Sequence, residues 1–295
     1  MKVDGNHPAA QAAWAAYASK AKWLLLIVLL SLPAGKPKAQ CVWNNVFYDG
    51  EQITYDLYFK WGILMPKAGL AHFSVKDTPY NNHKAWEYKL MFNTAGMFEK
   101  IFKMRDTLTT YFSPEAKLLF SSKRTEEGGY YLADEMTFSP VAGKTAVHSC
   151  RYGRTGGAKI DTTLLIEGCV YDMLATAMYL RSIDWTTLKA KDEFPFRVVV
   201  GRDVVNVRYR YTGQAIVAPD ERVKYRTHHF FIDVYDPAFE QSREAAEVWV
   251  GDDENRIPIR VRAKLKIGAA EVYFKEAEKL KHPFSSRIFI TKIQR

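Results

Sequence analysis

Along most of this chain apolar and polar side chains change places every second residue, the period of an extended strand with one dry and one wet face. The clearest case runs from Arg256 to Ile267. Ile257, Ile259, Val261, Ala263, Leu265 and Ile267 alternate there with Arg256, Pro258, Arg260, Arg262, Lys264 and Lys266. Before it, Val248-Trp249-Val250 is a short β-prone run, and Gly251 to Asn255 carries the Gly, Asp and Asn of a tight reversal. Together they predict a hairpin with one wet, cationic side. Val205, Val207, Tyr209 and Tyr211 alternate with Asn206, Arg208 and Arg210 in the same way, as do Ile53, Tyr55, Leu57 and Phe59 with their polar neighbours. Turn-forming clusters recur between such runs at the spacing of an all-β sandwich or barrel.

One stretch departs from the period of two. Val170, Met173, Leu174, Ala177 and Leu180 make a helical i, i+3, i+4, i+7 stripe, with Asp172 in the first turn, where a carboxylate favours the helix dipole. This predicts one helix over about 170–183 that covers a mouth of the sheet. Ala95 to Met104 is helical or irregular, and Ile288-Phe289-Ile290 offers a last strand. The expected fold is mainly β, a single large antiparallel barrel or strongly curved sheet with that one covering α-helix. No Pro- or Ser-rich linker interrupts it, so residues 41–295 read as a single β-rich domain.

Residues 1–40 read as a signal peptide and leader. Lys20 and Lys22 precede an apolar run from Trp23 to Leu32, followed by Pro33-Ala34-Gly35, in the order of a secretory signal. The run is too short for a spanning helix, which needs roughly twenty apolar residues. The formal charge of the whole chain is +9, but this segment holds five lysines and one aspartate, which leaves +5 for the remainder. That excess does not call for a nucleic acid. Cys41 follows the segment directly. Lys38 and Gln40 stand where a lipid-attachment motif has an aliphatic and a small residue, so a free or disulfide-bonded cysteine is the favoured expectation.

Catalytic signatures are missing from the sequence. There is no G-x-S-x-G, Walker loop, dinucleotide fingerprint or H-E-x-x-H. No catalytic, cofactor-binding or metal-binding residue is expected, and no cofactor. His228 and His229 are adjacent in a strand and therefore face opposite sides, so they cannot share an ion. Asp252-Asp253-Glu254 lacks the spaced oxygens of a calcium loop and reads as a hairpin tip. His72, His83 and His148 have no fixed partner in the sequence. Cys150 and Cys169 are a candidate disulfide across the connection before the helix. The basic residues Arg208, Arg210, Arg260, Arg262 and Lys264 are a candidate face for anionic headgroups or lipopolysaccharide phosphates, against the commoner role of a solvated sheet face. Trp61, Met65, Met97, Phe98, Phe102 and Met104 crowd into connections rather than strands and are candidates to line an apolar ligand cavity at a barrel mouth.

Three places together resemble a known family: Gly50-Glu51-x-x-x-Tyr55 with Gly69; Tyr171-Asp-Met-Leu with Tyr179-Leu-Arg181; and Trp249-x-x-Asp252-Asp-x-x-Arg256-x-Pro258 with Gly268. The chain is similar here to an exported family called domain of unknown function number three thousand one hundred and eight, over roughly Val46 to Phe274. The resemblance implies an envelope location and a β-rich fold. The family has no established reaction, so it supplies no catalytic residue.

The function expected from these observations is non-enzymatic binding of a lipid or other apolar envelope molecule, lipopolysaccharide included. The location expected is the periplasm of a Gram-negative-type envelope, close to a membrane but not spanning it after processing. Two alternatives stand beside it. One is a hydrolase of envelope polymers using carboxylates such as Glu51, Asp106 or Asp134; the other is a scaffold that pairs through an exposed sheet edge.

Overall fold

Fifteen strands join in one antiparallel sheet among the described residues, 48–219, 223–236 and 239–289 of this computed structural model. The first eight form a continuous meander: β1 (Gln52–Lys60), β2 (Lys67–Asp77), β3 (Trp86–Thr94), β4 (Arg105–Phe112), β5 (Leu118–Glu127), β6 (Tyr130–Val141), β7 (Lys144–Gly153) and β8 (Ala158–Glu167). A second meander follows: β9 (Glu193–Val200), β10 (Asp203–Val217), β11 (Val223–Asp236), β12 (Phe239–Gly251), β13 (Pro258–Lys264) and β14 (Ala269–Glu278). Pairing of β1 with β14 joins the two wings, which leaves β8 and β9 as the edges. The short β15 (Arg287–Phe289) pairs with β11 rather than closing the sheet. The expected signal segment, Cys41 and the end of the last expected strand lie outside the described residues.

Parity sorts the side chains as the sequence predicts. Val205, Val207, Tyr209 and Tyr211 are buried, as are Ile53, Tyr55, Phe73, Tyr88, Ile257 and Ile259. Their shared interior is one large apolar core. A smaller core of Met136, Phe138, Val147, Ile166, Val170 and Val199 spans the gap between the edge strands. There the chain after β8 fills part of the seam. Tyr171 donates its N–H to the Arg197 carbonyl and accepts from the Val199 N–H, each at 2.9 Å, as a parallel bridge to β9.

Two helices are present among the described residues, α1 (Met97–Ile101) and α2 (Ala175–Ser182). The covering helix therefore begins five residues later than its apolar stripe indicates. Val170 to Asp172 is spent on the seam, where hydrogen bonding to a strand edge satisfies its backbone. The helix lies on the inner face of the sheet, with Leu174, Met178, Tyr179 and Leu180 all in the main core.

Strand directions alternate, so the β1–β2, β3–β4 and β13–β14 connections emerge at one end. The order β4-β3-β2-β1-β14-β13 makes those three tips neighbours. Two glycines of the family-like motifs are explained by backbone proximity. A Cβ on Gly268, at φ +75°, would lie 2.1 Å from the Lys60 carbonyl oxygen, and one on Gly69 would lie 2.1 Å from that of Asn93.

Candidate functional site

Where α2 crosses the inner face of β1–β3, side chains leave a cavity of about 230 Å³. Ile53, Phe73, Leu90, Phe92, Leu174 and Val272 are among its walls, and nearly all of its surface is apolar. Two small side chains, Ala71 on β2 and Ala177 on the helix, are also among the walls. Burial is graded along the strands. Ile53, Tyr55, Phe73, Tyr88, Ile257 and Ile259 are sealed, whereas Leu57, Leu90, Phe92, Val261 and Val272, nearer the end that carries the three tips, are only half-buried. The interior is closed at one end and open towards the other.

The closed end is held by a buried charge cluster. Arg181, 1% exposed, donates from Nη1 to Glu51 Oε1 at 2.7 Å and from Nη2 to Glu51 Oε2 at 2.9 Å. It also donates to the Asn255 carbonyl from Nε at 3.1 Å and Nη2 at 2.9 Å. Two parallel N–H···O bonds match a planar guanidinium to a carboxylate, the arrangement that a desolvated ion pair requires. Arg256 then donates from Nη1 to the carbonyls of Arg181 and Ile183, at 2.9 and 2.7 Å, which satisfies backbone oxygens left over at the end of α2. Burial pushes the Tyr55 and Tyr88 hydroxyls beside this cluster well above the ordinary tyrosine range, although the Arg181 charge acts the other way. Glu51, Arg181 and Arg256, one from each of the three family-like motifs and far apart in sequence, thus meet at one place. They anchor the helix in the sheet.

A smaller pocket of about 70 Å³, mostly apolar but with Ser121, Lys123, Asp134, Arg151 and Asp172 among its walls, lies on the inner face of β5–β7. Asp172 accepts from the Ala175 N–H at 2.6 Å and from the Thr110 hydroxyl at 2.5 Å, so it caps α2 and ties it to β4. Burial raises its carboxyl above the usual range despite these bonds. Of the carboxylates considered for hydrolysis, Glu51 is bound by Arg181 and Asp134 accepts from Arg151 Nε at 2.5 Å. Asp106 accepts from the Glu126 N–H at 3.0 Å; burial, and next the Asp106 charge, lift the neighbouring Glu127 carboxyl. Asp134 lines the small pocket without Glu51 or Asp106.

The residues proposed from the sequence as cavity lining are elsewhere. Trp61, Met65, Met97 and Phe102 stand exposed on the β1–β2 and β3–β4 tips, Phe98 packs edge-on to Phe59, and Met104 bridges to Glu127. None of the six lines the cavity. Its walls come from inward positions within the strands, which reach the interior directly, while the loop residues project beyond the strand ends.

Arg208, Arg210, Arg260 and Arg262 do face outward, but they do not form a free cationic surface. Arg208 and Arg210 converge on buried Asp233, and Arg260 and Arg262 on buried Glu271. Lys264 alone of the five makes no ion pair among the described residues. The expected Cys150–Cys169 disulfide is not formed: Cys169 is disulfide-bonded and Cys150 is a free thiol. Cys150 sits on β7 opposite Asp161, on the face turned away from the core, whereas Cys169 packs against the core after β8. His228 and His229 separate as strand geometry requires. The first bonds inward to Tyr211 and Asp252, and the second stacks outward on Trp249.

The profile of a family described as "Protein of unknown function (DUF3108)" matches residues 54–275. Among solved structures, a β-barrel-like protein of the domain of unknown function DUF1849 from Brucella abortus aligns with a TM-score of 0.55 at 12% identity, over 79% of this chain and 98% of that one. Weaker alignments reach a candidate exported protein with a YmcC-like fold from Bacteroides fragilis (TM-score 0.29, 10% identity, 81% of this chain and 100% of that one). A lipoprotein so described from Parabacteroides distasonis aligns similarly (TM-score 0.30, 8% identity, 81% and 100%). No curated protein sequence matches the chain. The first of these structures shares the barrel-like fold. Among the described residues, no helix is long and apolar enough to cross a membrane.

Proposed function

We propose that this chain, which belongs to the DUF3108 family of proteins of unknown function, holds the acyl portion of an envelope lipid inside its curved sheet. The observation that carries this is the cavity under α2: about 230 Å³, walled by carbon, with the one charged wall residue already neutralised by Glu51. Apolar cavities of even ~150 Å³ stay dry and take up apolar guests. A chain of methylenes gains from burial at roughly 0.8 kcal/mol for each CH₂. The half-buried upper wall gives the guest a way in, and exposed apolar tips beside it would let the open end rest on a membrane. The same proposal has residues 41–295 as the mature chain in the periplasm, on the strength of the basic and apolar order of residues 20–35.

Titration with a fluorescent fatty acid, followed by native mass spectrometry of protein purified from its own envelope, tests the proposal. We expect saturable uptake of one probe molecule and a co-purifying lipid that the probe displaces. Ala177→Leu, which pushes a larger side chain into the cavity, should weaken uptake about tenfold or more without lowering thermal stability. Absence of both uptake and lipid, or uptake indifferent to Ala177→Leu, would overturn it. The carboxylates weighed for a hydrolase are engaged in structural bonds, and no observation favours that alternative.

A further inference from the structure

We propose that His148, Cys150 and Asp161, on the outer face of the sheet, form a binding site for a borderline-soft divalent metal ion, with zinc the best match. The site arises from simple strand geometry. His148 and Cys150 are two residues apart on β7 and so share a face. Between and before them Ser149 and Val147 are buried, which turns the pair outward. Asp161 on β8 is the register partner of Cys150, and His148, two pairs along and opposite Thr163, is its diagonal neighbour on the same face. Directly opposed side chains in an antiparallel pair have their Cβ atoms within ~5.5 Å. Three potential ligands of three chemical kinds therefore converge by the pairing of β7 with β8 alone.

Their spacing decides the matter further. Cys150 Sγ lies 3.6 Å from His148 Nε2 and 3.8 Å from Asp161 Oδ1, and His148 Nε2 lies 2.8 Å from Asp161 Oδ1. Tetrahedral zinc, with bonds of ~2.3 Å to sulfur and ~2.0 Å to nitrogen or oxygen, sets its ligand atoms about 3.5 Å apart when sulfur is involved and about 3.3 Å otherwise. Both sulfur distances already fit. The third is a hydrogen bond between two exposed side chains, and it needs to open by only about 0.5 Å to admit an ion.

Charge and ligand softness agree with this. A thiolate and a carboxylate neutralise a dication, and imidazole adds a neutral ligand. Magnesium and calcium take all-oxygen shells, so a sulfur–nitrogen–oxygen set discriminates against them and in favour of zinc and its neighbours. Glu135, opposite Cys150 on β6, is engaged by Arg124 at 3.2 Å. The fourth position therefore falls to solvent, as in open rather than closed zinc sites. Cys150 is a free thiol available to the ion. The site is on the opposite face of the sheet from the acyl cavity, so the two proposals stand or fall separately.

Cobalt(II) titration of the metal-free full-length protein, without reductant, provides the test. We expect one equivalent to bind with tetrahedral visible bands and a thiolate-to-cobalt charge-transfer band in the near ultraviolet, and zinc to bleach both. Cys150→Ser should abolish the charge-transfer band, and His148→Ala or Asp161→Asn should weaken affinity at least tenfold, while the circular dichroism of all three variants is unchanged. A surface ion pair without metal affinity predicts no charge-transfer band at one equivalent. That result, or a band that survives Cys150→Ser, overturns the site.

Discussion

Arg181, which the sequence leaves without a role, and Glu51, which it offers as a hydrolase carboxylate, together hold the fold. They are 130 residues apart, and neither lies in a pattern that predicts the other. The family-like motifs contain both, but a motif does not say whether its residues react or support. Distance and burial do: each oxygen of Glu51 faces a nitrogen of Arg181 within 2.9 Å, and neither side chain reaches solvent. Breaking such a pair strands a charge in an apolar interior, which costs about 3–5 kcal/mol. Glu51→Gln should therefore lower unfolding stability by about that amount in urea titration. The double variant Glu51→Leu with Arg181→Met should recover most of the loss, because replacing both partners removes the stranded charge. Equal destabilisation of the single and double variants would show that the pair matters through something other than its charge. The metal-site trio was hidden for a related reason. His148 and Cys150 share a face by a rule that reads directly from sequence, but their third partner depends on the β7–β8 register, which the sequence does not display.

At the scale of elements the period of two is a reliable guide to strands: β10 buries Val205, Val207, Tyr209 and Tyr211, while β1 buries Ile53 and Tyr55 and β13 buries Ile259, their remaining apolar positions being half-buried. It failed where apolar residues leave the strand. Leu265 and Ile267 continue the alternation of β13 but are exposed on a tip, and the helical stripe from Val170 is cut short by the seam. Hydrophobic pattern reports which side chains avoid water on average; tertiary pairing decides where an element ends. His229 on β11 shows what burial does to titration. His229 is held below the ordinary imidazole range by burial first, against the pull of Glu247, with Arg260 and Arg210 adding to the depression. The unfolded chain thus takes up this proton more readily than the folded one, so stability is lost as pH falls through the unfolded value of about 6.5 and is unaffected well above it. His229→Phe, which keeps a ring against Trp249, should flatten the fall in melting temperature between about pH 7.5 and about pH 5. The size of the change is set by the shift, at ~1.4 kcal/mol per unit. A variant with an unchanged pH slope would remove His229 from the account.

For the molecule as a whole, the tips at the open end matter more than the arginine face. That face is balanced, since its guanidiniums lie on Asp233, Glu271, Glu247 and Glu244. The tips are not balanced. Ile63, Ile101, Ile267 and Trp61 are 101, 71, 67 and 62% exposed on three adjacent connections. Lys60, Lys100, Lys103, Lys264 and Lys266 accompany them with no ion pair among the described residues. Apolar points ringed by lysines suit an anionic lipid surface, where each lysine contributes ~1 kcal/mol and the attraction fades with salt. If the proposed function holds, the exposed residues Trp61, Met65, Met97 and Phe102 would be the part of the molecule that enters the headgroup layer, not the lining of its cavity. Sedimentation with phosphatidylglycerol vesicles should capture the protein, and neutral phosphatidylcholine vesicles should not. Replacing Ile63 and Ile101 by Ser should weaken capture about tenfold at any salt concentration, because each loses buried hydrocarbon. Charge reversal of Lys100, Lys103 and Lys264 should weaken it at least as much in low salt and abolish its salt dependence, because the two contributions are physically separate. Capture that ignores both sets of substitutions would place the membrane-facing surface elsewhere and leave the cavity without its route of entry.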